Sequence, residues 1–324
     1  MAVNFAAVLA ALERREAPSD GDPSRHPDPT AKAARMGISV RGARSVASVG
    51  RCDRCADATG YDAQDPSGPP GYVVFVPCEC VAERRRADTF NAAQIPAGAA
   101  FATVSAYEVE PADTPADKLD GRSEAAAAAL EMLTAMSSGR LPAPGLLLSG
   151  PPGTGKTHLL CAVVAGCTHP RVAAHLRKVS AEQRDAARRG AYHGSLSYSG
   201  VSRYATCTAL GNEIHRRLTL ARAGDAPVSE SVESLLDGLA DVPLLALDEL
   251  GDLKPGSFTA DAVEGVVCRR YAAGLPTVVA SNYHLDGKGG MGDRGVPPHL
   301  IDRLRSMRVV RLTGASFRTR TAGR

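Results

Sequence analysis

Three short apolar runs stand out from an otherwise mixed chain: Gly145-Leu-Leu-Leu-Ser149, Val242-Pro-Leu-Leu-Ala-Leu-Asp248 and Pro276-Thr-Val-Val-Ala-Ser-Asn282. Near-continuous apolar stretches of this length, bounded by Gly, Pro or a polar residue, predict strands buried on both faces of a parallel sheet. A further strand is expected near Tyr204-Ala-Thr-Cys207, followed by an amphipathic helix through Ile214, Leu218 and Leu220. Helices are predicted over His158-Leu-Leu-Cys-Ala-Val-Val164 and over the Ala-rich run 123–137. Strands alternating with helices predict an α/β fold of three layers.

Near the N-terminus, Phe5, Val8, Leu9 and Leu12 recur at helical spacing and make one apolar stripe over residues 3–15. Such a stripe suits a helix packed on its own protein or one that docks on a partner. The segment from Pro18 to about Val46 is rich in Pro, Asp, Ser and Arg and is expected not to fold. A helix on that tether has little of its own core nearby, which favours the partner. The pattern divides the chain into an arm at 1–48, a cysteine-bearing module and connector at 49–108, and a nucleotide-binding core at 109–324. Within this division, 110–122 is expected to be a linker.

The first apolar run leads directly into Gly150-Pro151-Pro152-Gly153-Thr154-Gly155-Lys156-Thr157. This fits the phosphate-loop spacing G-x-x-x-x-G-K-[ST] in its required strand–loop–helix context. The glycines let the backbone wrap a polyphosphate, and the helix N-terminus directs N–H groups at the anion. Lys156 would reach the β- and γ-phosphates, and the Thr157 hydroxyl would sit on Mg²⁺. His158, the next residue of the helix, joins the expected nucleotide-binding set. The second run ends in Asp248-Glu249. Asp248 would hold Mg²⁺ through water, and Glu249 would orient and polarise the attacking water. The two motifs together predict an NTP-hydrolysing enzyme.

The third run ends in Asn282, an amide that could bond the attacking water or the γ-phosphate beside Glu249. Leu300-Ile-Asp-Arg303 and Gly314-Ala-Ser-Phe-Arg318 each place a guanidinium that could bind phosphate bidentately. Taken alone, either arginine reads first as a solvated surface charge, the usual state of that residue.

Cys52-Asp-Arg-Cys55 and Cys78-Glu-Cys80 flank a Gly/Pro-rich span expected to form a hairpin. Two close thiol pairs suit tetrahedral Zn²⁺, with free thiols or a redox switch as the alternatives. Cys161, Cys167, Cys207 and Cys268 lie among apolar neighbours and are expected to be core thiols.

The order of these motifs, from phosphate loop through Leu-Asp-Glu-Leu-Gly and Pro-Thr-x-x-x-x-Asn to Asp-Arg and Ser-Phe-Arg, resembles the AAA+ ATPases of the DnaC/DnaI helicase-loader and IstB group. The resemblance covers about residues 95–324, with Ile95-Pro96 and Phe101 in its lead-in. The cysteine module, from Cys52 through Gly60-Tyr61 to Pro77-Cys-Glu-Cys-Val81 and an arginine-rich helix, is similar to the amino-terminal module of DnaI-type loaders, beside their helicase-contacting region. The resemblance implies that Asn282 is a first sensor of the γ-phosphate. It also implies that Arg303 is a finger reaching a neighbouring subunit's nucleotide, and that Arg318 is a second sensor within its own subunit. It further implies a homo-oligomer when ATP is bound, and an ATP-dependent loader that places a hexameric replicative helicase on single-stranded DNA. The alternative is an IstB-like helper of transposition. A protein unfoldase fits poorly, because no aromatic pore-loop motif is evident and little room remains for a lid.

A departure from the family lies between the phosphate loop and the acidic strand. Residues 169–200 form a longer basic insertion with Arg171, His175, Arg177, Lys178, Arg184, Arg188 and Arg189. It suits an exposed helix or a nucleic-acid contact. The 324-residue chain carries a formal net charge of +3, too mild to establish nucleic-acid binding. No apolar run approaches the ~20 residues of a membrane helix, and no basic leader precedes the N-terminal apolar stretch, so a cytoplasmic protein without membrane contact is expected.

Overall fold

The computed structural model describes residues 35–317, apart from 59, 65, 66, 68, 70, 111–113, 116–118, 189–199, 224–230 and 255. The N-terminal stripe at 3–15 therefore lies outside the described residues, as does the Gly190-Ala-Tyr-His-Gly end of the basic segment.

Five parallel strands form the central sheet: β5 (Gly145–Ser149), β6 (Ser202–Thr206), β7 (Leu244–Asp248), β8 (Thr277–Ser281) and β9 (Arg308–Arg311). Their spatial order is β6-β7-β8-β5-β9, so the third apolar run lies between the phosphate-loop strand and the acidic strand. β5, β7 and β8 are almost wholly buried, as continuous apolar runs require when helices cover both faces. Parallel pairing brings Ser149 beside Ser281, aligning the strand ends that lead to Gly150 and Asn282. The fold is the parallel α/β sheet expected from the sequence. Four-residue β9, with arginine at both ends, carries no apolar run that would announce it.

One core lies against each sheet face. The first joins Leu146 and Leu148 to α2 (Arg122–Ser137) and α3 (Lys156–Gly166). The second joins Leu147, Leu245 and Val279 to α5 (Cys207–Ala223), α7 (Phe258–Ala272) and α8 (Pro298–Arg305). Val172, Ala173 and Leu176 of α4 (Pro170–Arg188) are buried in the first core. Over residues 170–179 the basic segment is thus a helix as expected, with His175, Arg177 and Lys178 exposed, but its apolar face is packed in the core rather than exposed all round.

Residues 36–49 form a hairpin of β1 (Met36–Arg41) and β2 (Arg44–Val49). This corrects the expectation that the chain up to Val46 does not fold. Ala47 is buried and exchanges hydrogen bonds with the Asn91 side chain, so the hairpin is completed by α1 (Cys80–Ala93) rather than by its own composition. The span between the cysteine pairs is a second hairpin, β3 (Gly60–Gln64) with β4 (Val73–Pro77), as expected. Ala87, Phe90 and Ala93 of α1 join the first core, and Arg203 of the edge strand β6 donates to Ala92 O. The helix thereby covers a strand edge that would otherwise be open.

Two polar side chains outside the motifs fix the frame. Glu110 accepts backbone bonds from Asp120, Arg122 and Ser123 and a hydroxyl bond from Ser123, capping α2 from the segment before it. Burial opposes its charge, but these bonds hold its carboxyl well below the usual range. The ends of the 110–122 linker are therefore pinned to each other. Arg270 is fully buried and donates to Thr277 Oγ1 and to the carbonyls of Leu239, Ala240, Val242, Pro243 and Pro276. It ties the end of α6 (Val232–Asp241) to the starts of β7 and β8. Burial lowers its guanidinium pKa to about 9, so it stays charged at neutral pH.

Candidate active site

The phosphate loop leaves β5 at Gly150 and enters α3 at Lys156. Gly155 has φ +84°, and a Cβ there would fall 2.4 Å from the Tyr107 ring. A glycine is therefore demanded by both conformation and contact. Among the described residues the N-cap Gly155 offers no side-chain cap to α3, whose first turn opens from the loop in the manner of an anion-binding helix N-terminus. The Lys156 side chain is nearly buried, and its Nζ donates to Gly150 O at 2.7 Å and Pro151 O at 2.8 Å.

Asp248 receives three donors. Thr157 Oγ1 and the Tyr204 hydroxyl donate to its Oδ2 at 2.6 and 3.0 Å, and the Glu249 N–H donates to its Oδ1 at 2.9 Å. Glu249 sits in the left-handed region at φ +62°. Such a conformation is costly for a non-glycine residue and concentrates at functional sites. Burial, and then the neighbouring Asp248 charge, push the Glu249 carboxyl above its ordinary pKa. Asn282 follows Ser281, whose hydroxyl donates to Leu250 O at 2.5 Å and whose carbonyl accepts from Gly150 N at 3.2 Å. The strand-end segments bearing Gly150, Glu249 and Asn282 are thus stitched together.

A cavity of about 680 Å³ is lined by Pro152, Gly153, Gly155, Lys156, Thr157, His158, Asp248, Glu249 and Asn282. These expected residues, from three separate stretches of sequence, share one space at the C-terminal edge of the sheet, where ligands of open α/β folds bind. A larger cavity, about 1150 Å³, lies beside α2 and the start of β5, is mostly apolar and holds none of the expected site residues.

Tyr107, Tyr204 and Phe317 also line the smaller cavity, and none of the three is an expected site residue. The Tyr107 hydroxyl donates to Thr154 O at 2.7 Å, and its ring meets Phe317 edge-on at 5.9 Å and His158 at 5.8 Å. Phe317 N donates to Gly153 O at 2.9 Å, fixing the C-terminal segment to the loop. Arg318, the next residue, lies outside the described residues. Arg303 is not brought to this cavity. It pairs with Asp302 at 2.9 Å and lies 4.7 Å from the Tyr271 ring centroid, with its side chain 38% exposed.

The four cysteines 52, 55, 78 and 80 are buried as free thiols, with all sulfurs within 4.8 Å of one another. Cys52 and Cys78 Sγ lie 3.6 Å apart, and Cys55 and Cys80 Sγ lie 3.5 Å apart. Tetrahedral Zn–S bonds of about 2.3 Å place sulfurs about 3.8 Å apart, so the donor set fits that ion. Burial pushes the Cys80 thiol up to about 12, a protonated state that a bound cation would reverse. Asp57 accepts from Cys52 N at 2.9 Å and pairs with Arg84 of α1, bracing the first cysteine turn. Cys161, Cys167 and Cys207 are buried as expected, whereas Cys268 is only half-buried.

No family model matches the chain, and no curated protein matches it. Among solved structures it is similar to AMPPCP-bound DnaA from Aquifex aeolicus, with 19% identity, TM-score 0.41 and coverage of 65% of this chain and 50% of that one. It is also similar to DnaI, with 20% identity, TM-score 0.38 and coverage of 67% and 90%. The DnaC helicase loader gives 16% identity, TM-score 0.40 and coverage of 65% and 96%. The chain spans about half the length of the DnaA chain it matches. The five-stranded parallel sheet flanked by helices fits the AAA+ core expected from the sequence. Among the described residues, no single helix is long and apolar enough to cross a membrane.

Proposed function

We propose that this chain is a DnaC/DnaI-type AAA+ ATPase that loads a hexameric replicative helicase onto single-stranded DNA. The observation that carries the ATPase reading is the convergence of Lys156, Thr157, Asp248, Glu249 and Asn282 on one cavity. The loader reading rests on the order of motifs in the sequence and on the four-cysteine module set against the same core.

In this account Lys156 exchanges its loop carbonyls for the β- and γ-phosphates of ATP. Thr157 would offer its oxygen lone pairs to Mg²⁺, while its hydroxyl proton points towards Asp248 Oδ2. Thr157 and Asp248 would hold Mg²⁺, which when bound would supply positive charge against the negative charge that develops in transfer. Glu249 orients the attacking water and accepts its proton, a task suited to a carboxylate with raised proton affinity. Asn282 reads the γ-phosphate. Arg303, off its own cavity and half-exposed, acts on a neighbouring subunit's nucleotide in a homo-oligomer, and Arg318 acts within its own subunit. Cys52, Cys55, Cys78 and Cys80 hold a structural Zn²⁺ that shapes the module beside the core.

Affinity purification of the full chain from its native host tests this reading. A hexameric replicative helicase is expected among the retained proteins, more strongly with ATP than without. A transposase in its place would point to the IstB-like role instead.

A further inference from the structure

Asp248 is 4% exposed, and its carboxylate is held at both oxygens. Thr157 belongs to the phosphate loop and the Glu249 N–H to the acidic strand itself, but the third donor, Tyr204, comes from β6 and from no motif. In the parallel register Thr206 lies opposite Asp248 and Tyr204 lies opposite Ala246, two residues earlier on the same face. Two strand residues span about 6.6 Å, a distance that a phenol crosses and a serine or threonine does not. The Tyr204 hydroxyl lies at the wall of the nucleotide cavity and ends on Asp248 Oδ2 at 3.0 Å.

We propose that Tyr204 is a positioning residue for the metal-dependent step, fixing the Asp248 carboxylate in the orientation that Mg²⁺-nucleotide binding needs. The inference rests on the ATPase reading above. Two hydroxyls converge on Oδ2 while Oδ1 takes a backbone N–H, so rotating the carboxylate breaks three bonds at once. When Thr157 turns its oxygen to a metal ion, its own bond to Asp248 is placed under competing geometric demand. Tyr204 makes no such contact and continues to hold Oδ2. Outer donors to acidic metal-site groups commonly account for about 10- to 100-fold in metal affinity or activity.

The experiment measures binding of a fluorescent ADP to the full-length protein as Mg²⁺ is titrated. It compares wild type, Tyr204→Phe, and chains carrying 4-aminophenylalanine or 4-methylphenylalanine at position 204. The last two have similar size, but only the amine donates a hydrogen bond, so their comparison stands even if Tyr204→Phe fails to fold. Nucleotide affinity without Mg²⁺ is expected to be the same in all four. The Mg²⁺ half-saturation is expected to rise by about 10-fold or more in the phenylalanine and methyl forms, and to return towards wild type in the amino form. Equal half-saturation in the methyl and amino forms would overturn the role of Tyr204. Wild-type protein that binds no nucleotide, or binds it without regard to Mg²⁺, would instead overturn the ATPase reading itself.

Discussion

Thr157 Oγ1 donates to Asp248 Oδ2 at 2.6 Å, joining the phosphate loop to the acidic strand across 91 positions of sequence. The bond presets the relation between the residue that would meet Mg²⁺ directly and the one that would hold it through water. Glu249 follows in a left-handed conformation that turns the chain away from the strand immediately after the acid.

This arrangement separates binding from turnover. Glu249→Gln should bind ATP as wild type does but hydrolyse it about 10²- to 10⁴-fold more slowly, the usual range for a general base. Lys156→Ala should instead bind ATP poorly, because its ammonium meets ground-state phosphates. Nucleotide titration and steady-state phosphate release distinguish the two. The raised Glu249 pKa adds a sign: activity requires the ionised carboxylate, so the acid limb of the rate profile should lie above the ordinary glutamate value. Wild-type turnover in Glu249→Gln would contradict the assignment.

The four buried thiols predict about one zinc per chain in protein purified without chelator. Cys52→Ser should increase hydrogen exchange over residues 50–82 and leave nucleotide binding intact. Zinc can supply on the order of 10 kcal/mol of apparent folding free energy to so small a module. The second half of α1 should remain protected, because Ala87, Phe90 and Ala93 belong to the core of the sheet. Metal analysis that finds no zinc would remove the claim.

Arg270 should be the costliest single residue outside the site. Arg270→Met fills much of its volume but strips the carbonyls of Leu239, Ala240, Val242 and Pro276 of a buried donor. Unsatisfied buried acceptors cost about 1–3 kcal/mol each, so a loss of at least about 3 kcal/mol in chemical denaturation is expected. A loss below about 1 kcal/mol would show that water or local rearrangement replaces the guanidinium.

The sequence makes β5, β7 and β8 legible because each is buried on both faces and so must be apolar throughout. It makes the phosphate loop and Asp248-Glu249 legible because their chemistry fixes residue type and spacing. β9 is hidden, since a four-residue strand with terminal arginines gains its place from pairing with β5. The β1–β2 hairpin is hidden for a related reason: Asn91, 44 residues from Ala47, supplies its anchoring bonds. Tyr107 and Tyr204 reach the site only because separate segments meet there, and no local pattern marks them; Phe317 lies in the Ser-Phe-Arg motif, but that motif points to Arg318 and not to the ring. Arg303 shows the converse, with a legible motif whose expected target lies on another subunit.

The central claim is tested most directly by loading itself. The replicative helicase of the same organism, presented with closed circular single-stranded DNA, should be placed on the circle by the wild-type protein when ATP is supplied. Lys156→Ala should leave the circle bare. Helicase that loads equally well without this protein, or equally well with Lys156→Ala, would contradict the account.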